Sequence, residues 1–162
     1  EYDRHGTTSL FAALDVATGN VIGKCFRQHR SIEFVKFLHL IDKSIDPKLD
    51  IHIVLDNLAT HKTPQVQRWL VRHSRFHVHF IPTHSSWLNQ VERWFALLTE
   101  RQLKRAAHCS VHALEKTIYE FVEVHNEQPR PFVWTKSADE ILERVAGFCR
   151  DTLVAHGKKK TK

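Results

Sequence analysis

A chain of 162 residues, 42% of them hydrophobic, is long and apolar enough to fill one domain core. Its 24 Lys and Arg against 18 Asp and Glu leave a net charge of +6, which favours a polyanionic partner. Three widely spaced cysteines without a Cys-x-x-Cys pair suggest neither a disulfide framework nor a zinc knuckle, and no apolar run approaches the ~20 residues of a membrane span.

The chain opens with alternating residues from Thr7 to Val16 and a β-rich run from Val21 to Phe26, joined at Ala17-Thr18-Gly19-Asn20. This spacing predicts a hairpin. Ser31 is expected to cap a helix that turns Phe34, Val35, Phe37, Leu38 and Ile41 to one side and closes at Asp46-Pro47. Ile51 to Leu55, short and almost wholly apolar, reads as a strand buried on both faces and stops at Asp56-Asn57. Pro64 then starts a helix through Val66, Trp69, Leu70 and Val71 to about His73, and Phe76 to Ile81 alternates as a further strand ended by Pro82. With Ser85 or Ser86 as cap, Leu88, Val91, Trp94, Phe95 and Leu98 predict a helix to about Arg105, with Glu92 at the border of its apolar stripe. Ser110 caps the next helix, with Leu114, Ile118, Phe121, Val122 and Val124 inward and Glu115, Lys116, Glu120 and Glu123 outward. After Asn126 and Pro129 come an aromatic docking segment, Pro131-Phe132-Val133-Trp134, a last helix from about Ser137 to Phe148, and a basic tail from Gly157. The expected organisation is a core over residues 1–150 and a disordered tail over 151–162.

Two carboxylates carry the chemistry. Open α/β sheets keep their reactive groups at the carboxyl ends of parallel strands, where Asp56 falls. An Asp-Asn pair at a strand end is also an ordinary turn starter, and a Glu near a helix start is tolerated by the helix dipole whatever else it does. Together, with 35 residues between them, Asp56 and Glu92 are less easily read as incidental.

Strand, strand, helix, strand, helix, strand, helix and further helices indicate a mixed sheet with helices on its faces. The order resembles a ribonuclease H-like α/β fold lacking its first strand. On that fold the acidic segments resemble the second and third catalytic motifs of the DDE transposases, in particular the mariner-related bacterial insertion-sequence family. The resemblance rests on Leu55-Asp56-Asn57 with His61-Lys62, on Pro82 with His84-Ser85-Ser86-Trp87-Leu88-Asn89-Gln90-Val91-Glu92, and on Asn126 with Pro131-Phe132-Val133-Trp134-Thr135. It spans about residues 6–148. Gln90 stands where many relatives have Pro, and Trp87 where an acidic or small residue is frequent. The family's first catalytic Asp lies on a strand before the hairpin; Asp3 is too close to the hairpin and Asp15 is at its turn, so neither takes that role. A start at Glu-Tyr-Asp-Arg-His-Gly, with no Met and no signal-peptide layout, is expected of a fragment of a longer protein.

The resemblance implies a transposase catalytic domain that cleaves DNA and transfers strands using Mg²⁺ or Mn²⁺. Hard divalent ions take oxygen donors, and two of them ~3.5–4 Å apart serve nucleophile, phosphoryl oxygens and leaving oxygen together. Asp56 and Glu92 are the expected metal ligands and catalytic groups, with Asn57, His61 and Asn89 orienting them from behind. Lys62, Arg93, Arg101, Lys104 and Arg105 flank the cleft as phosphate contacts, although each also suits a solvated helix face. The expected partners are DNA, as element ends and target, and a second copy of the chain in a homodimer. The expected location is the bacterial cytoplasm, at the nucleoid. His77 and His79 share a strand face but lack the companion residues of a zinc site. The competing reading is a nonenzymatic module on the same fold that binds DNA or a partner subunit.

Overall fold

The structure, a computed structural model, describes residues 6–56, 58–81, 90–104 and 108–131, with 139–140, 143 and 146–147 in addition. Contacts group the chain into two compact units, Glu1–Phe132 and Val133–Lys162. In the second, Asp139, Glu140, Glu143, Ala146 and Gly147 are helical, within the span expected for the last helix. Of the docking segment Pro131-Phe132-Val133-Trp134 only Pro131 is among the described residues, and the basic tail lies outside them.

In the first unit, β1 (Ser9–Leu14) and β2 (Val21–Phe26) form the expected hairpin, antiparallel from Ser9↔Phe26 to Leu14↔Val21. Asp15 builds the turn: its carboxylate accepts the Ala17 N–H at 2.9 Å and the Thr18 hydroxyl at 2.6 Å. Gly19 follows with φ 81°, where a Cβ would also strike the Arg130 carbonyl. In this register the N–H groups of Val21 and Cys25 point away from β1. Side chains meet them: the Asn126 amide accepts the Val21 N–H and donates to the Val21 carbonyl, both at 2.9 Å, and the Tyr119 hydroxyl accepts the Cys25 N–H at 3.0 Å. The outer edge of β2 is thus closed against further strand pairing.

The helix α1 (Ser31–Ser44) is capped one residue earlier than expected, at Arg30. Glu33, not Ser31, decides this. Its carboxylate accepts the Arg30 N–H at 3.2 Å and two guanidinium bonds at 3.1 and 2.6 Å, while the Ser31 hydroxyl turns to Gln65. The same guanidinium bonds hold the Glu33 carboxyl down to about 2. β3 (Ile51–Leu55), a 3₁₀ turn (Ala59–Lys62), α2 (Pro64–Arg72) and β4 (Phe76–Phe80) follow, with β3 and β4 parallel from Ile51↔Phe76 to Leu55↔Phe80.

Among the described residues the strands form two two-stranded sheets, β1-β2 and β3-β4. One core nevertheless joins them: Phe11 of β1, Ile51 of β3 and Phe76 of β4 are buried with Phe34, Phe37, Leu38 and Ile41 of α1 and with Val66 and Trp69 of α2. A second core covers the other face of the hairpin, packing Val21 and Cys25 against Trp94 and Leu98 of α3 (Gln90–Leu98) and Ile118 and Val122 of α4 (Val111–Glu127). Ser110 caps α4 as expected, its hydroxyl accepting the Ala113 N–H at 3.1 Å. β1 and β3 each pair along one edge, and no backbone partner is recorded at the other among the described residues.

Three expectations of burial are corrected. β3 is covered on one face only, with His52 exposed and Val54 51% exposed, because α3 and α4 cover the hairpin and no described helix covers the corresponding face of β3 and β4. Val71 and Val124 are exposed, each rotated off the buried stripe of its helix. Glu115 turns inward, where its carboxylate accepts the Thr8 hydroxyl at 2.7 Å.

Candidate functional site

The parallel pairing of β3 and β4 brings two strand ends together, and Asp56 is the first residue beyond β3. The Ile81 N–H bonds to the Leu55 carbonyl at 2.9 Å, so the pairing continues up to the carboxylate. The 3₁₀ turn Ala59–Lys62 then folds the chain back and sets His61 beside it. His61 Nδ1 lies 3.0 Å from Asp56 Oδ1 and 3.4 Å from the Asp56 backbone oxygen. Its ring packs on Phe34 of α1, with centroids 4.3 Å apart.

Burial makes the two partners unequal: the His61 side chain is 8% exposed and that of Asp56 38%. Burial pushes the His61 pKa below its ordinary value, and the adjoining Asp56 oxygens oppose the shift without reversing it. A neutral ring meeting a carboxylate must donate from Nδ1, which assigns the tautomer. One Asp56 oxygen is therefore held by His61, and the side chain stays 38% exposed to an incoming group.

The depressed His61 pKa has a sign in stability. The unfolded chain takes up the proton first as pH falls through about 6.5, the folded chain only lower, so stability is lost across that window as the pH drops. His61→Phe should flatten the wild-type dependence of urea midpoint on pH as the pH falls through about 6.5 and below. Parallel curves for the two proteins would remove His61 as the source.

The other expected residues are placed as follows. Glu92 is exposed in the first described turn of α3, while its cap at Ser85 or Ser86 lies outside the described residues. Asn57, Asn89 and Arg105 also lie outside them. Arg93, Arg101 and Lys104 are exposed on α3 and the turns after it. The helical path continues nearly to the expected end, but over Thr99–Leu103 it widens to π geometry, with the Lys104 N–H reaching back to the Thr99 carbonyl at 2.9 Å. No group of three His, Cys, Asp or Glu side chains able to hold an ion occurs among the described residues. His52, His77 and His79 do gather on the exposed face of β3 and β4, but they stack ring on ring, 4.7 and 5.3 Å apart, with a 3.0 Å contact between His52 Nδ1 and His79 Nε2.

Two features escaped the sequence reading. Phe34 supports His61 from α1, a contact no spacing rule connects. Phe80 stands opposite Leu55 at the end of β4, 41% exposed, with the Lys62 ammonium 4.7 Å from its ring centroid. A cation over an exposed ring contributes only about 0.5–1 kcal/mol, so this pair is easily rearranged. Strand alternation from Phe76 through Val78 would have placed Phe80 on the Leu55 side; its exposure at the sheet end is a tertiary fact.

Comparison with known proteins bears on this arrangement. A family model described as DDE superfamily endonuclease matches residues 1–115. A Shigella sonnei protein, the insertion element IS630 uncharacterized 39 kDa protein, is 28% identical over 120 residues, covering 74% of this chain and 35% of that protein. The chain thus spans about a third of that relative's length. Among solved structures, a chain of the simian T-cell lymphotropic virus intasome in complex with PP2A regulatory subunit B56 gamma superposes with a TM-score of 0.51 at 18% identity, over 68% of this chain and 40% of that one. The likeness is one of fold, and the fold is the ribonuclease H-like one expected from the element order. Among the described residues, no helix is long and apolar enough to cross a membrane.

Proposed function

The chain belongs to the DDE superfamily endonucleases, and from that premise we propose that it is part of the catalytic core of an insertion-sequence transposase, which cuts DNA at element ends and joins them to a target. The observation that carries the proposal is Asp56, a carboxylate at the end of a parallel strand with one oxygen held by a buried neutral His and the side chain still open to solvent. The donor set suits hard ions, since Asp56 and Glu92 offer oxygen, and both are accessible. Mg²⁺ or Mn²⁺ bound there would activate water and stabilise the charge developing on the phosphoryl group.

In this reading His61 keeps Asp56 from rotating, and Asn57 and Asn89 serve Asp56 and Glu92 in the same way. Lys62, Arg93, Arg101, Lys104 and Arg105 hold DNA phosphates. A third carboxylate is required, and we place it on an added strand paired to the edges of β1 and β3 that have no backbone partner among the described residues, two strands that already share one core. Residues 1–150 would form the core with that strand, and 151–162 a basic tail. The working assembly is a homodimer on DNA, at the bacterial nucleoid.

The competing reading, a DNA- or partner-binding module without catalysis, has one observation on its side: the described carboxylates do not gather in threes. Both readings require DNA binding dominated by phosphate contacts, apart from a module that binds only protein. Fluorescence anisotropy on a duplex should show affinity falling steeply and log-linearly with salt. No binding even at low salt would reject the DNA role.

A further inference from the structure

We propose that Phe80 and Lys62 form a subsite for a single unpaired nucleotide beside Asp56, the ring taking the base and the ammonium its phosphate. The proposal rests on the DNA reading above and adds to it the form of DNA that the site receives.

Three observations converge on it. Phe80 is the last residue of β4 and pairs in register with Leu55, so its ring stands next to the residue that precedes Asp56. At 41% exposure it leaves much of an aromatic surface in water at the end of the sheet, and Leu58, on the loop between Asp56 and the 3₁₀ turn, is 45% exposed as well. Exposed apolar surface on the strand end opposite Leu55 and on the loop after Asp56 is suited to a partly apolar ligand. The third observation is the ammonium of Lys62, 4.7 Å from the ring centroid on an exposed side chain. A nucleotide matches this set, since its base has a π face for Phe80 and its phosphate is the better partner for the ammonium.

A base inside a duplex is stacked on both faces and cannot lie on Phe80. The subsite therefore selects frayed, overhanging or flipped nucleotides, and stacking is tolerant of sequence because every base has a π face. An unpaired nucleotide on Phe80 would bring its own phosphodiester toward Asp56.

The test compares a blunt duplex with the same duplex carrying a short 3′ overhang, 2-aminopurine occupying the last unpaired position. The wild-type chain should prefer the overhang about 5- to 100-fold and quench the 2-aminopurine. Phe80→Leu, which keeps apolar volume and removes the ring face, should bring the preference near unity with blunt-duplex affinity unchanged; Phe80→Trp should retain it. Lys62→Gln should weaken both duplexes and flatten the salt slope by about 1. A wild type that binds both duplexes alike, or a Phe80→Leu that keeps the preference, overturns the subsite and leaves the DNA reading standing. A wild type that binds neither fails the DNA reading, and the subsite with it. Thermal melting checks the fold of Phe80→Leu, and if it is lost the decision passes to wild type and Phe80→Trp, where absence of quenching is overturning.

Discussion

In a longer chain that supplies the third carboxylate, Asp56→Asn should abolish metal-dependent cutting of element-end DNA, lowering the rate by at least about 10²-fold, without unfolding the protein. The substitution is chosen for what it preserves. An Asn oxygen can still accept the His61 Nδ1–H that now lies 3.0 Å from Asp56 Oδ1, and a side chain 38% exposed has room for the amide. Shape and position are retained and only the charge is lost, so the defect reports on charge. Glu92→Gln, on an exposed turn of α3, should behave alike. The same pair of variants should weaken Mn²⁺ binding in a titration followed without DNA, which separates ion binding from turnover.

Chain length enters the same experiment. Because β1 and β3 each keep one edge without a recorded backbone partner among the described residues, residues 1–162 alone should cut little or not at all. A longer chain that supplies an Asp-bearing strand to those edges should cut in Mg²⁺ and Mn²⁺. A gel assay of both forms decides it. Metal-dependent cutting by the 162-residue chain, or cutting by the longer chain that survives Glu92→Gln, would sink the assignment of roles.

Arg75→Ala should cost about 3 kcal/mol, a large share of the 5–15 kcal/mol that holds a domain of this size together. Arg75 lies on the loop between α2 and β4, yet its guanidinium closes the far end of α1. It bonds the Asp42 carboxylate at 2.8 and 2.9 Å and the carbonyls of Asp42, Asp46 and Leu49 at 2.7, 2.7 and 2.9 Å. At 18% exposure the group is screened little by water, and its loss would strand the Asp42 carboxylate and carbonyls at the end of a helix. The Arg75 carbonyl also accepts the Ile51 N–H at 2.7 Å, so the clamp sits where the pairing of β3 begins. Arg75→Lys should recover less than half of the loss, because one ammonium cannot span several carbonyls. Urea denaturation measures both, and a loss below about 0.5 kcal/mol for Arg75→Ala would show that solvent replaces the clamp.

Local signals determined much of this protein. Periodicity alone placed the hairpin, α1, β3, α2, β4 and α4, because each has a clear apolar repeat and ends at residues that stop a strand or helix. The position of Asp56 at a strand end was legible for the same reason. Its partner was partly so: His61 was marked by the resemblance of its motif, but its burial on Phe34 depends on α1, remote in sequence. Tertiary structure decided the rest. The Arg30–Glu33 bonds moved the cap of α1 from Ser31, since a bidentate ion pair outweighs a hydroxyl cap. Val54 was expected to be buried and is exposed, because an apolar run specifies a strand but not how many layers cover it. Nothing local marks Arg75 as a clamp, which exists only because folding brings the end of α1 to it, and the 41% exposure of Phe80 follows from the sheet ending beside it. Sequence spacing carries what is repeated along one element; contacts between elements far apart in the chain exist only once it has closed on itself.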